Sequence, residues 1–235
     1  LTYTLAQQAS RTGVAIVRPT YYSSDEPEAY TSRNQYLFGP DVLASPISVA
    51  AAGPRREVNV TVFLPHASDG WSDWEAASRF AGSRSVTRAY GLAAIPLFVR
   101  RGAVLPLRRS LPRSSATGPL NDAVAASLLW TIFPASDGVN SSGLLIEDNG
   151  VDLSTDTAES FVEVTRSDAA TSVVLSAVRG SYAGMAAARH VSLAFRGVTK
   201  LPHSVTVGAV TLPALPSPPS ALGRGFALLS SQQAA

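Results

Sequence analysis

The hydrophobic pattern changes period along the chain. Leu1, Leu5 and Ala9, with Thr2 and Ala6 beside them, recur at helical spacing over residues 1–12. Gly13 then stands where a helix ends in the left-handed conformation, which a residue without Cβ adopts at least cost. Val14, Ala15, Ile16 and Val17 form a short continuous apolar run closed by Pro19. That pattern predicts a strand buried on both faces, as in a parallel sheet. Helix, cap and buried strand make the αβ half of a βα unit. Such a strand needs parallel neighbours and none follow, so the pattern predicts that the chain begins partway through a larger fold.

Residues 20–34 are polar and turn-rich. From Gln35 the period falls to two. Tyr36–Phe38, a Gly39-Pro40 turn and Val42–Ala44 predict strand, turn and strand. Glu57–Phe63 alternates polar and apolar residues, the mark of a strand with one wet face, and Pro65 closes it. Trp71 and Trp74 fall in a turn-rich stretch. Ser85–Arg88 and Ile95–Val99 predict further strands, with Gly102 and Pro106 punctuating the next turn. Residues 108–120, rich in Pro, Gly, Ser and Arg, predict a linker. Leu128–Phe133, Leu144–Ile146, Ser160–Thr165, Ser172–Val178, His190–Phe195 and Ser204–Val207 then follow at the spacing of an antiparallel sandwich. The tail after Thr211 is rich in Pro, Ala and Ser and is expected to fray.

Composition narrows the chemistry. At roughly 100–200 residues per domain, 235 residues make one large domain or two small ones. Cysteine is absent, which removes disulfides, thiol catalysis and cysteine metal sites. The three histidines (His66, His190, His203) are too dispersed for a multi-histidine metal site. Residues 1–113 carry 13 arginines against 8 acids, whereas residues 114–235 carry 6 cations against 9 acids. This asymmetry suggests two domains. No Lys/Arg run marks a nucleic-acid stripe, the pairs Arg100-Arg101 and Arg108-Arg109 reading as strand ends. No apolar run reaches the about 20 residues that span a bilayer.

Candidate chemistry is sparse. Glu147-Asp148-Asn149-Gly150 is part of a calcium-loop pattern or a hairpin turn, and its Asn-Gly step favours the turn. Asn59-Val60-Thr61 and Asn140-Ser141-Ser142 are glycosylation sequons. Trp71, Trp74 and Tyr90 make either a sugar-stacking platform or core packing, and core packing is the commoner fate. His66 reads as a turn residue. The carboxylate pairs Asp69/Asp73 and Asp25/Glu26 fall in polar turns with nothing to hold them in a pocket. Neither a catalytic constellation nor a cofactor or metal site emerges from the residues.

Three stretches are specific together: YTLAQQASRTGVAIVRPTYYSSDEPEAY at 3–30, QYLFGPDVLASPI at 35–47, and VFLPHASDGWSDW at 62–74 leading to IPLFVRRGAVLPL at 95–107. In this order they resemble the C-terminal part of glycoside hydrolase family 31, which includes α-glucosidases, the catalytic subunit of glucosidase II and α-xylosidases. LLIEDNGVDLSTDTAESFVEV and VRGSYAGMAAARHVSLAF resemble the family's distal C-terminal domain.

The resemblance implies a mainly β chain. Residues 1–30 would be the last helix and strand of a (β/α)8 barrel, 31–112 a proximal antiparallel β-sandwich and 113–235 a distal one. Arg18 and Pro19 match the family's Arg-Pro pair. Gly39, Trp71, Trp74, Gly102, Asp148 and Gly150 take structural places, as do Asp25 and Asp41. Family members are retaining enzymes with two catalytic Asp residues, whose carboxyls sit about 5 Å apart. Both would lie upstream, so no catalytic, substrate-binding or cofactor residue is carried over. The implied partners are an upstream barrel of the same polypeptide and, through it, an α-glucoside. The implied location is the endoplasmic-reticulum lumen or outside the cell. The other reading is a non-enzymatic carbohydrate-binding or subunit-interaction module.

Overall fold

A computed structural model describes residues 1–50, 56–76, 78–91, 93–107, 127–151, 156–198 and 202–215. The expected linker at 108–120 and the tail beyond residue 215 lie outside these residues. The chain opens with helix α1 (Thr2–Thr12), capped by Gly13 in the left-handed conformation (φ 74°), whose N–H returns to the Ala9 carbonyl at 2.8 Å. Strand β1 (Val17–Arg18) and a 3₁₀ turn (Thr20–Tyr22) follow, then a short helix α2 (Pro27–Thr31). This helix falls within the stretch read as turns. Its signal is Pro27 at the first helical position, where a missing N–H costs nothing.

Eight strands come next: β2 (Tyr36–Phe38), β3 (Val42–Ala44), β4 (Val58–Leu64), β5 (Trp71–Asp73), β6 (Arg79–Phe80), β7 (Arg84–Tyr90), β8 (Leu97–Arg100) and β9 (Val104–Leu107). Beyond residue 126 lie β10 (Ser127–Ile132), β11 (Asn140–Glu147), β12 (Ala158–Arg166), β13 (Thr171–Leu175), β14 (Arg179–Gly180), β15 (His190–Phe195), β16 (Thr206–Val207) and β17 (Val210–Thr211).

The first layer is a six-stranded antiparallel sheet in the order β1-β2-β3-β8-β5-β6. The β4–β7 ladder covers one of its faces. Leu37, Leu43, Trp71 and Phe98 meet Val62, Leu64 and Val86 there. On the opposite face Val42 and Val99 pack with Ala103, Leu105 and Phe133. Both faces of β3 are therefore dry, which is why Val42–Ala44 is apolar throughout instead of alternating. Trp71–Asp73 is a strand of this sheet, not the turn its polar neighbours suggested. Trp71 is fully buried, and its indole N–H donates to the Pro65 carbonyl at 2.8 Å.

The second pair of layers is the sheet β15-β10-β9 against β11-β12-β13, with β14 on β12. Val104, Trp130 and Ile132 meet Leu145, Val162 and Val164 in its core. Strand β9 serves two cores, Val104 facing one and Leu105 the other. Two expectations need correction. Strands β10 and β15 are parallel, Leu128 opposite Val191, because the chain crosses through β11–β14 before returning. Pro106 lies inside β9, not in a turn. It is tolerated because β9 is an edge strand, so the missing N–H removes no ladder bond.

A third correction concerns Val14–Val17. Only Val17–Arg18 forms a strand, and it pairs antiparallel with β2. Val14 is 40% exposed and Val17 55% exposed, so the run is not buried on both faces within this chain. No parallel neighbour lies beside it among the described residues.

Strand β11 crosses β9 at Gly143. A Cβ there would stand 2.8 Å from both the Trp130 ring and a Val104 methyl, and closer still to the Val104 carbonyl. Gly143→Ala is therefore expected to destabilise the protein by about 1–3 kcal/mol through overpacking. Gly91 has open space around its Cβ position, and Gly91→Ala should shift stability by less than about 0.5 kcal/mol. Thermal unfolding of the two variants side by side checks this.

Candidate functional site

Helix α1 presents two working faces. Leu1 and Leu5 point to the first sheet. Leu5 is buried, and its methyls lie where a Cβ on Gly39 would clash at 2.9 Å. Gly39 has a positive φ of 66°, so it combines a required turn conformation with a close approach. Tyr3, Gln7 and Arg11 recur every four residues and so share a second face, with Thr4 beside them. This face meets the β11–β12 hairpin. The Thr4 hydroxyl accepts the Ile146 N–H at 3.1 Å in a buried position. The Tyr3 hydroxyl donates to Asp148 Oδ1, and the Gln7 amide donates to Asp148 Oδ2 at 2.5 Å. Arg11 pairs with Glu159 at 2.8 Å and donates to the Thr157 hydroxyl at 3.0 Å.

Asp148 is itself fixed by its turn, the Gly150 N–H donating to Oδ1 at 2.7 Å. Gly150 takes a positive φ of 65° there. Next to it Glu147 is ion-paired with Arg189, which also donates to the Tyr182 hydroxyl at 3.2 Å. Burial, and then the Asp148 bond, push the Tyr3 phenol above its ordinary pKa. The turn predicted at 147–150 thus follows the end of β11, and its Asp148 holds α1. Among the described residues no group of three or more His, Asp or Glu side chains converges as a metal cluster.

Beyond Gly13 the chain carries exposed apolar groups. After Val14 and Val17 come Tyr21, Tyr22 and Tyr30, exposed by 44%, 60% and 58%. Tyr21 and Tyr30 stack at 5.2 Å with an interplanar angle of 8°. Arg18 turns back on its own segment, Nε donating to the Ala15 carbonyl at 2.6 Å. Pro19 leads the 3₁₀ turn, its carbonyl accepting the Tyr22 N–H.

Residues 13–105 match the model of the glycosyl hydrolase family 31 C-terminal domain. The match to the family 31 C-terminal domain is confined to these residues, which hold α2 and strands β1 to β8. It is 35% identical over 106 residues to an alpha-xylosidase of Saccharolobus solfataricus, covering 45% of this chain and 14% of that protein. It is 32% identical over 116 residues to the human neutral alpha-glucosidase AB, covering 48% of this chain and 12% of that protein. The chain thus spans about one seventh or less of these two relatives. The fold of a GH31 dextranase of Flavobacterium johnsoniae, solved with glucose, superposes with a TM-score of 0.76 at 21% identity. That likeness covers 90% of this chain and 25% of the dextranase.

Within the matched residues, those singled out from the sequence are engaged in structure. Asp73 is buried, pairs with Arg88 at 2.7 Å and caps the turn that follows through the Glu75 and Ala76 N–H groups. Asp69 accepts the Ser136 N–H at 2.6 Å. Desolvation works against the Glu26 carboxylate. Hydrogen bonds from Ser24, Ser83 and the His66 N–H outweigh it and hold the pKa below its ordinary value. His66 is exposed at a strand end, as expected of a turn residue.

Trp71 cannot offer a ring to a sugar, being fully buried with the Arg100 guanidinium 4.9 Å over it. Trp74 leans on Phe133 at 5.5 Å, and the Arg196 guanidinium lies 5.9 Å over it. Gly102 (φ 94°) turns the chain between β8 and β9, its N–H donating to the Phe133 carbonyl at 2.7 Å. The sequence pattern does not single out the Tyr3-Gln7-Arg11 stripe. Its four-residue spacing is visible there, but its partners lie more than 140 positions away.

Asp41 sits in the turn between β2 and β3. Loss of water raises its pKa above the ordinary value, although Arg100 and Arg18 pull it down. A carboxyl that binds its proton more tightly when folded makes stability fall as pH rises from about 3.8 through the folded pKa. Asp41→Asn is therefore expected to raise the unfolding midpoint at pH 7 and to lose that advantage below about pH 3.8, the unfolded-state reference. Thermal unfolding across pH 3–8 measures both.

Proposed function

We propose that this chain is the C-terminal portion of a retaining, α-glucosidase-like glycoside hydrolase. In this reading residues 1–30 complete a (β/α)8 barrel, 31–112 form the proximal sandwich and 113–235 the distal one. The single observation that carries it is the Val14–Val17 run. It follows a helix and a left-handed glycine cap, is apolar throughout, and stands uncovered in this chain. Exposed apolar surface costs about 25 cal/mol per Å² relative to burial. Packing against an upstream barrel would remove that cost. The family 31 match over residues 13–105 and the small share of each relative spanned by the chain support the same reading.

The chemistry of retention needs two carboxyls about 5–5.5 Å apart across the scissile bond, one as nucleophile and one as acid then base. Asp69, Asp73 and Glu26 are already committed to backbone groups and to Arg88. By the family resemblance the catalytic pair would lie in an upstream barrel, which the two sandwiches would brace. The substrate is an α-glycoside: an α-glucan, a glucosylated N-glycan or an α-xyloside.

The intact native polypeptide, detected with an antibody to residues 113–235, is expected to be several-fold longer than 235 residues and to hydrolyse p-nitrophenyl α-glucoside or α-xyloside. The isolated 235-residue chain should turn over neither. Turnover by the isolated chain, or an inert intact protein, overturns the reading. The reading also locates the enzyme in the secretory pathway, where the exposed Asn59 and Asn140 would carry glycans. Endoglycosidase digestion should then increase the mobility of the native protein on a gel, and Asn59→Gln with Asn140→Gln should abolish that shift.

A further inference from the structure

We propose that Asp148 is a positioning residue for the hydrolytic reaction. It sets the rotation and axial register of α1, and through the Gly13 cap it places the Val14–Val17 run. The inference rests on the reading that this run completes a catalytic barrel.

Helix α1 is held by two kinds of contact, and they constrain it differently. Leu1 and Leu5 bury apolar surface, which is non-directional. Such contacts choose the buried side of the helix but tolerate rotation and sliding. Hydrogen bonds do not, because they weaken steeply with misalignment. Asp148 receives Tyr3 on one oxygen and Gln7 on the other, one helical turn apart. Moving the helix by one residue, about 1.5 Å and 100°, breaks both bonds. The acceptor is rigid, since the Gly150 N–H holds Oδ1 and the Glu147–Arg189 pair holds the neighbouring residue. The Arg11–Glu159 pair lies on the same face, but its side chains are 42% and 28% exposed. Exposed ion pairs contribute little. The register of α1 therefore rests on the Asp148 bonds together with the buried Ile146 N–H to Thr4 bond, and of these Asp148, at the end of β11 and about 140 positions downstream, is the group that ties two successive turns of the helix.

The link onward is short. The Gly13 N–H closes α1, the Val14 N–H donates to the Thr12 hydroxyl at 3.3 Å, and the Ile16 carbonyl accepts the Gly39 N–H at 2.8 Å. A rotation of α1 reaches Val14–Ile16 within three residues. Misplacement of active-site geometry by about 1 Å, from a change remote from the chemistry, can lower a rate by about 100-fold.

The test uses the full-length protein and whichever p-nitrophenyl α-glycoside the wild type hydrolyses. Asp148→Asn is expected to lower kcat per active site about tenfold with KM within about twofold. Tyr3→Phe, which removes one hydroxyl and keeps the ring, should lower kcat about threefold. The double variant should lose no more than Asp148→Asn alone, because both break one joint. Arg166→Gln removes an exposed ion pair of the same sheet without touching α1, and kcat should not change. Amide hydrogen exchange at Val14–Ile16 should quicken in Tyr3→Phe. Wild-type kcat in Asp148→Asn and Tyr3→Phe, even with lowered thermal stability, overturns the proposal, as does additive loss in the double variant. A wild-type protein that hydrolyses no α-glycoside overturns the functional reading instead, whatever the exchange shows.

Discussion

Strands β3 and β8 must be dry on both faces, and the rest of the molecule is arranged around that requirement. Leu43 and Phe98 look toward the β4–β7 ladder, while Val42 and Val99 look the opposite way. Neither cover suffices alone. Covering the first face yields a sandwich. Covering the second face draws β9 and Phe133 against the same sheet. Because β9 then continues into the second core through Val104, the two packed units share a strand and cannot separate without exposing both.

Helix α1 occupies the seam that this arrangement leaves. Its apolar side rests on the Gly39 turn, and its polar side reaches the β11–β12 hairpin. The division follows from what each surface offers. A sheet turn at Gly39 has no side chain and accepts a leucine. The end of β11 presents the Asp148 carboxylate, which accepts from Tyr3 and Gln7, and the Ile146 N–H, which donates to Thr4. Arginine recurs around these sheets, over Trp71 and Trp74 and beside Asp73 and Glu147. Its planar cation can stack and donate hydrogen bonds at once.

Much of this fold is legible in the residue pattern alone. The Leu1-Leu5-Ala9 spacing and Gly13 locate α1 to within one residue. The alternation from Glu57 locates β4, and the Gly39-Pro40 step locates the turn after β2. Other elements are hidden for physical reasons. Trp71–Asp73 is too short for a period to register, and its polar neighbours belong to the turns that flank it. Pro106 reads as a stop unless the strand is known to lie at an edge. The parallel β10–β15 pair depends on a crossover, and local alternation is the same in parallel and antiparallel strands. The candidate site is less legible than the fold. Trp71 suits a sugar platform and a core alike by residue type, and only its complete burial decides between them.

The sequence by itself determined which residues seek cover and at what period, because hydrophobicity and turn chemistry act over a few neighbouring positions. It thereby set the β-rich class, the helix with its glycine stop, and the absence of thiol chemistry. Tertiary structure decided everything that depends on who meets whom across 100 positions or more. It made Asp148 an anchor for Tyr3 and Gln7 rather than a surface acid. It buried Trp71 and committed Asp73 to Arg88. It left Val14 and Val17 in the open, where their pattern alone had called for burial. A side chain carries its demand for a partner in the sequence, but the partner is supplied only by the fold.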